Sequence, residues 1–471
     1  MDFINEKLIE MNEFLQEKKI AVIGVDFNNV KLIEHLYNIQ ADDVIVFDKR
    51  EIEYINGDLM DKVITYGMEF SLGENCFKKL DGFDIIFRSP DYLPTIPEIL
   101  KEEERGAIVT SELELFMQLC PAPIIGVAGT DGKTTISEMV YDILKNGECN
   151  CYIGGFKNLS IFSQIEKIVP EDVVVLKLTN EQLINMKISP DISIITNMDF
   201  ESLDINYSEE EYIDALRNMF INKNEEGILI LNYDDSIVKE FAKETNRKVI
   251  FFSEDKIDEG YIISDNKIKV CEGELRIHLL DTKNTSLRGI HYIKNGTCAI
   301  IATSEFVDLE VSLNTIKNFR NLENRLELIY ESEDRIQWYN DSLSINPSRT
   351  ITALDSFALR NVILIAGGDI NNYNYDKLAT SIVNSCKVLI LEGEISETIE
   401  EQVKQKLRRT GNKIDIYKSN SIEESVKIAG KLAVKGDVVL LSPTTTYYTK
   451  YKNYEEIGEE FKKVIEKIIV K

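Results

Sequence analysis

Residues 126–135 read Gly126-Val127-Ala128-Gly129-Thr130-Asp131-Gly132-Lys133-Thr134-Thr135. The apolar run Ile124–Ala128 leads in as an expected strand, and a helix-period segment over Thr134–Lys145 leads out. A glycine-rich turn between strand and helix lets backbone N–H groups point inward around phosphate oxygens. The helix start adds partial positive charge at the same place. Lys133 is the residue type that holds β- and γ-phosphates, and the Thr134 hydroxyl the type that ligates Mg²⁺. Gly129, Thr130, Asp131, Gly132, Lys133, Thr134 and Thr135 are therefore the candidate nucleotide-binding residues. The generic motif has a glycine where this chain has Val127, so the match is to a GxxGK[ST]T variant.

Working outward, the same rhythm of short apolar run, turn and helical period recurs in both directions. On the amino-terminal side, strands are expected at Ile20–Val25, Val44–Phe47 and Asp84–Phe87. The first turn, Gly24-Val25-Asp26-Phe27-Asn28-Asn29, lacks the GxGxxG of a dinucleotide fold. Ser111 and Glu114 are spaced as a capping box, and Cys120-Pro121-Ala122-Pro123 reads as a linker. Past the loop, strands are expected at Asp172–Leu178, Ile192–Thr196, Gly227–Leu231 and Val249–Phe252, with an amphipathic helix at Glu209–Phe220. Antiparallel hairpins are expected around Asp265-Asn266 and Glu272-Gly273. A third stretch alternates strands at Ile336–Tyr339, Val362–Ala366, Val388–Leu391, Ile414–Tyr417 and Val438–Leu441 with helices at Ser348–Phe357, Ser396–Arg409, Ile422–Val434 and Tyr454–Ile469. Alternation of this kind argues for parallel α/β architecture.

The 471 residues suggest about three domains at roughly 150 residues each. With 54 Lys and Arg against 81 Asp and Glu, the net charge is −27, which argues against broad nucleic-acid binding. It leaves room for a small basic site serving a phosphorylated ligand. Seven dispersed cysteines fit a reducing compartment better than a disulfide framework. Residues Met1–Ile20 carry Asp2, Glu6, Glu10 and Glu13, unlike a signal peptide. No apolar run of about 18 residues predicts a membrane span.

Further marks lie along the chain: Ser111-Glu112-Leu113-Glu114-Leu115-Phe116 before the loop, then Asn232-Tyr233-Asp234-Asp235, Tyr339-Asn340-Asp341-Ser342, Gly367-Gly368-Asp369 and Leu441-Ser442-Pro443 after it. In this order the chain resembles, over its whole length, the Mur ligases. These are ATP-dependent amide ligases of peptidoglycan precursor synthesis. The nearest resemblance is to the branch that joins D-glutamate to UDP-N-acetylmuramoyl-L-alanine. The resemblance implies three α/β domains with Rossmann-like ends around a P-loop ATPase. These are an N-terminal UDP-substrate domain (1–120), a central ATP-binding domain (121–317) and a C-terminal amino-acid-binding domain (318–471). It implies ATP and Mg²⁺, a UDP-linked muramoyl substrate and D-glutamate or another amine, and a monomer in the cytoplasm. The implied chemistry is phosphorylation of a carboxylate to an acyl phosphate, then attack by the amine. On this reading Lys133 holds phosphates, Arg325 in Asn324-Arg325 reaches the γ-phosphate, and Asp341 closes over the ribose.

The chain departs from the resemblance where metal chemistry is implied. In Lys177-Leu178-Thr179-Asn180-Glu181-Gln182-Leu183, Lys177 stands where the family has a Mg²⁺-ligating Glu. Ser202 stands for a ligating His, and Leu216 for a carbamylated Lys. A hard cation wants oxygen ligands, so Lys177 either repels Mg²⁺ or replaces its charge. On the amino-acid side, Leu343, Ile345 and Tyr447 replace polar residues of the family pattern, and Ile370, Asn371 and Asn372 stand where it places a Lys near the amino-acid carboxylate. His35, His278 and His291 read as core or surface residues. Two alternatives stay open: a divergent paralogue that binds nucleotide without ligating D-glutamate, and a ligase for another carboxylate and amine.

Overall fold

The computed structural model describes residues 3–155, 160–200, 208–222, 226–285, 287–320, 322–357, 360–447 and 449–470. The chain divides into two compact units, residues 1–283 with 294–316, and residues 284–293 with 317–471.

The first unit holds two sheets. One has five parallel strands in the order Glu69–Leu72, Val44–Asp48, Ile20–Ile23, Ile85–Arg88, Ile108–Thr110. The other has nine. From one edge they run Cys151–Gly154, Val173–Lys177, Ile124–Ala128, Ile192–Ile195, Ile228–Asn232, Lys248–Ser253 and Glu259–Ser264, all parallel. Lys267–Glu272 and Leu275–Asp281 complete it as an antiparallel hairpin extension. Asp265 and Asn266, both at positive φ (53° and 57°), make the first hairpin turn, and Gly273 (φ 58°) lies in the second. Both expected hairpins are therefore present.

The central strands are apolar on both faces, as a parallel sheet covered by helices requires: all five residues of Ile124–Ala128 and of Ile228–Asn232 are buried. One apolar cluster runs from Leu8 through Phe116 to Phe162, Phe220 and Phe241, so the two sheets of this unit share a continuous core.

The second unit contains a six-stranded sheet ordered Glu327–Glu331, Gln337–Asn340, Val438–Thr444, Val362–Gly367, Cys386–Glu392, Asp415–Ser419, parallel except for the first pair. Its core is built on Trp338, Ile363, Ile365, Ile390, Val439 and Phe461. No described helix is long and apolar enough to cross a membrane.

The expected capping box at Ser111 forms only by half. Ser111 accepts from the Glu114 N–H (3.1 Å), as an N-cap should. The Glu114 carboxylate, however, accepts from Thr110 Oγ1 (3.0 Å) and the Lys187 N–H (2.8 Å). A long-range backbone donor outcompetes the local cap, and the carboxylate ties the helix Glu112–Leu119 to the segment after Lys177.

Candidate functional site

The strand Ile124–Ala128 delivers the glycine-rich turn, and the helix Lys133–Asn146 leaves it. Gly129 has φ 119° and Gly132 φ 86°, both left-handed. A Cβ on Gly129 would lie 2.2 Å from Thr196 Oγ1 and 2.9 Å from the Asn197 carbonyl oxygen, and one on Gly132 2.8 Å from Asn295 Oδ1. Glycine is thus demanded twice over, by backbone conformation and by close approach.

The loop is braced by the end of the neighbouring strand Ile192–Ile195. The Thr130 N–H donates to the Asn197 carbonyl (2.9 Å), and the Asp131 N–H to Asn197 Oδ1 (2.9 Å). Thr196 Oγ1 donates to the Asp131 carbonyl (2.6 Å). Thr130 Oγ1 accepts from the Asp199 N–H (2.9 Å) and lies 3.3 Å from Tyr212 Oη. Lys133 Nζ curls over the turn and donates to the carbonyls of Gly129 (2.5 Å) and Thr130 (2.8 Å), which holds its charge at the mouth of the loop. Thr135 and Ser137 are buried and secure the helix to the sheet, whereas Thr134 on the first turn is partly exposed.

Sequence reasoning missed Thr196, Asn197, Tyr212 and Asn295. The signal for the first two was present: a polar pair directly follows the strand Ile192–Ile195 that lies beside the loop's own strand. Asn232-Tyr233-Asp234-Asp235 also finds its reason here. Asp235 Oδ2 accepts from the Met198 N–H (2.8 Å) and steadies the bracing segment. Asp234 forms an ion pair with Lys294 (3.0 Å) on the helix that carries Asn295.

Lys177 ends the strand Val173–Lys177 in register with Val127, one strand over from the loop. The Gly155 turn packs on its backbone, where a Cβ would come within 1.9 Å of the Lys177 carbonyl oxygen. Its charge acts on Glu138, which lies one turn past Thr134 on the loop helix. Burial raises the Glu138 carboxyl and Asp142 adds to this, while Lys177 pulls it down. Leu216, on the helix Glu209–Arg217, is wholly buried in the apolar core and offers no oxygen to a cation. Ser202 lies outside the described residues. Among the described residues no group of three or more His, Cys, Asp and Glu is placed to hold a metal. The donor set therefore fits a cation carried on nucleotide phosphates with Thr134 as its protein ligand. Among the described residues it does not extend to a second cation held by the protein.

Arg325 and Asp341 belong to the second unit. Asp341 was expected in the turn that closes over a ribose. Its side chain is buried and held internally, with Oδ1 accepting from the Leu326 N–H (3.1 Å) and Oδ2 from Ser442 Oγ (2.9 Å). Burial pushes its carboxyl up to about 6, against hydrogen bonds from Ser344, Leu326 and Ser442 and the nearby charge of Arg325. Asp341 thus sets the backbone that carries Arg325. Asn324, at φ 63°, anchors the same turn by accepting from Asn340 Nδ2 (2.8 Å) and Ser342 Oγ (3.0 Å).

At the carboxyl ends of the second unit's strands, Asp369 accepts from the Thr449 N–H (3.2 Å), Asn371 Nδ2 donates to Thr445 Oγ1 (2.5 Å), and Lys450 pairs with Glu392 (2.6 Å). Tyr447 is buried, its hydroxyl 3.5 Å from the Glu392 carbonyl. His35 bonds Asn12 (2.8 Å) and meets the edge of Phe162, and burial lowers His291 to about 4, so both serve packing.

A family model described as the Mur ligase middle domain matches residues 127–303. The chain is 37% identical over 468 residues, covering 99% of it and all of the relative, to a protein of Acetivibrio thermocellus named UDP-N-acetylmuramoylalanine–D-glutamate ligase. The chain belongs to the Mur ligase family. A Clostridium botulinum (strain Langeland) protein of the same name is 35% identical to this Mur ligase over 460 residues, 98% of the chain and 99% of the relative. Solved structures share its fold. MurF of Acinetobacter baumannii gives a TM-score of 0.60 at 14% identity, covering 94% of the chain and 93% of that structure. MurF of Thermotoga maritima in complex with ADP gives 0.57 at 16%, covering 90% and 95%.

Proposed function

We propose that this Mur ligase joins D-glutamate to UDP-N-acetylmuramoyl-L-alanine, with ATP converted to ADP and phosphate through an acyl phosphate, in peptidoglycan precursor synthesis. The observation that carries the reading is full-length identity of 35–37% to relatives named for that reaction. It is joined to a phosphate loop whose glycines are demanded by geometry. We assign the three domains (1–120, 121–317 and 318–471) to the UDP substrate, ATP and the amino acid. The chain works as a cytoplasmic monomer.

The backbone N–H groups of the loop other than those of Thr130 and Asp131, together with Lys133, bind the nucleotide phosphates and orient the γ-phosphate for attack by the substrate carboxylate. Arg325 is assigned to the same phosphate on the family pattern. Mg²⁺, where bound at Thr134, supplies charge neutralisation on the phosphates. Lys133 neutralises charge that builds as the terminal phosphoryl group transfers. The amine then displaces phosphate from the acyl carbon.

A second reading is favoured by the buried Leu216 and by Lys177: a paralogue that binds nucleotide and does not ligate D-glutamate. Phosphate release in the presence of ATP, Mg²⁺, UDP-N-acetylmuramoyl-L-alanine and D-glutamate separates the two. Release that requires every component supports ligation. Nucleotide binding without release supports the second reading.

A further inference from the structure

The metal chemistry implied by the family and the residues present in this chain disagree, and the disagreement has a consistent physical form. Lys177 sits at the carboxyl end of the strand paired with the loop's own strand, in register with Val127. Its backbone is pinned by the Gly155 turn. The loop helix packs on the strand that Lys177 ends, and the lysine charge is felt by Glu138, one turn along that helix from Thr134. Leu216, where the resemblance implies a carbamylated lysine, is buried hydrocarbon. No described cluster of His, Cys, Asp and Glu supplies a cage. An ammonium cannot ligate Mg²⁺, but it can donate to phosphate oxygens as a point charge.

We propose that Lys177 is a phosphate-binding residue that supplies, as a fixed ammonium, the positive charge a second protein-held Mg²⁺ would carry, so that this chain works with one divalent cation per nucleotide. The proposal rests on the reading of residues 126–135 as an ATP site and makes no use of the amine or muramoyl substrate.

The test uses the full chain with the non-hydrolysable β,γ-imido analogue of ATP and Mn²⁺ in place of Mg²⁺. Paramagnetic resonance titration of free Mn²⁺ is expected to show one bound ion per chain in the presence of the analogue. Two bound ions overturn the proposal, and this measurement needs no variant. The analogue's affinity at saturating Mn²⁺ is expected to fall about 10-fold or more in Lys177→Met, the scale of a lost charge-assisted hydrogen bond. In Lys177→Arg it is expected to stay within about 3-fold of wild type, since a guanidinium also binds phosphate. A Lys177→Met chain with an unchanged thermal midpoint and unchanged affinity overturns the proposal as well. Failure of ligation with D-glutamate would leave these readouts where they are and would bear on the proposed reaction alone.

Discussion

Glu112→Gln is the substitution whose effect can be worked out most fully. Glu112 opens the helix Glu112–Leu119 and is buried, with its Oε1 accepting from Ser160 Oγ at 2.8 Å. Burial raises its carboxyl from 4.5 to about 7, the Asp26 charge adds to this, and hydrogen bonds from Ser160 and the Phe162 backbone only partly offset it. At about 1.4 kcal/mol for each tenfold change in proton affinity, that rise corresponds to about 3 kcal/mol. The sign follows from proton uptake. Between pH 4.5 and 7 the folded chain holds the Glu112 proton more tightly than the unfolded chain does, so this group's contribution to stability falls as pH rises. The loss is absent below the unfolded value and complete above the folded one. Glutamine keeps an acceptor for Ser160 and cannot ionise. Glu112→Gln is therefore expected to match wild type within about 1 kcal/mol at pH 4.5 and to exceed it by up to about 3 kcal/mol at pH 8.5. Thermal unfolding at the two pH values, followed by near-UV circular dichroism, measures the difference, with the variant's midpoint a few degrees higher at pH 8.5. Parallel pH profiles for variant and wild type would refute the reasoning.

Three further substitutions probe the loop and its surroundings. Lys133→Ala is expected to weaken ATP binding at least about 10-fold, as loss of a charge-assisted contact should, measured by titration calorimetry. Gly129→Ala places a Cβ at positive φ and 2.2 Å from Thr196 Oγ1, and should lower nucleotide affinity and stability together by about 1–3 kcal/mol. Nucleotide titration and thermal melts check both. Leu216→Lys buries an unpaired ammonium in the core that holds Phe220 and Phe241 and should destabilise the chain by about 3–5 kcal/mol without creating a cation site. A well-folded Leu216→Lys protein that binds an extra Mn²⁺ would contradict the placement of this residue.

Much of the fold was legible because parallel strands buried on both faces announce themselves as short apolar runs. Ile124–Ala128, Val362–Gly367 and Val438–Thr444 are of this kind, and each sits within a residue or a few of its expected position. The two edge strands of the five-stranded sheet were not legible. Glu69–Leu72 has two exposed residues of four, and Ile108–Thr110 is only three residues long, so neither carries a run to read. Ser111-Glu114 shows the limit of local rules, because Lys187, far along the chain, takes the carboxylate. In the candidate site, the loop could be read from glycine and lysine chemistry, while its braces could not. Asn197 and Asn295 act through the fold, one from the adjacent strand end and one from a helix beginning more than a hundred residues later. Asp341 was read from its motif as part of a turn over a ribose. That the Leu326 N–H and Ser442 Oγ hold its two oxygens was not legible there, because Ser442 lies on a strand far along the chain.

Mass analysis of the product tests the central claim most directly. The purified chain is incubated with ATP, Mg²⁺, UDP-N-acetylmuramoyl-L-alanine and D-glutamate, and the UDP-linked species is examined. The predicted result is a product heavier by one glutamate residue, formed together with an equal amount of ADP and absent when ATP is omitted. An unmodified UDP-linked substrate, under conditions where the chain demonstrably binds ATP, would contradict the account.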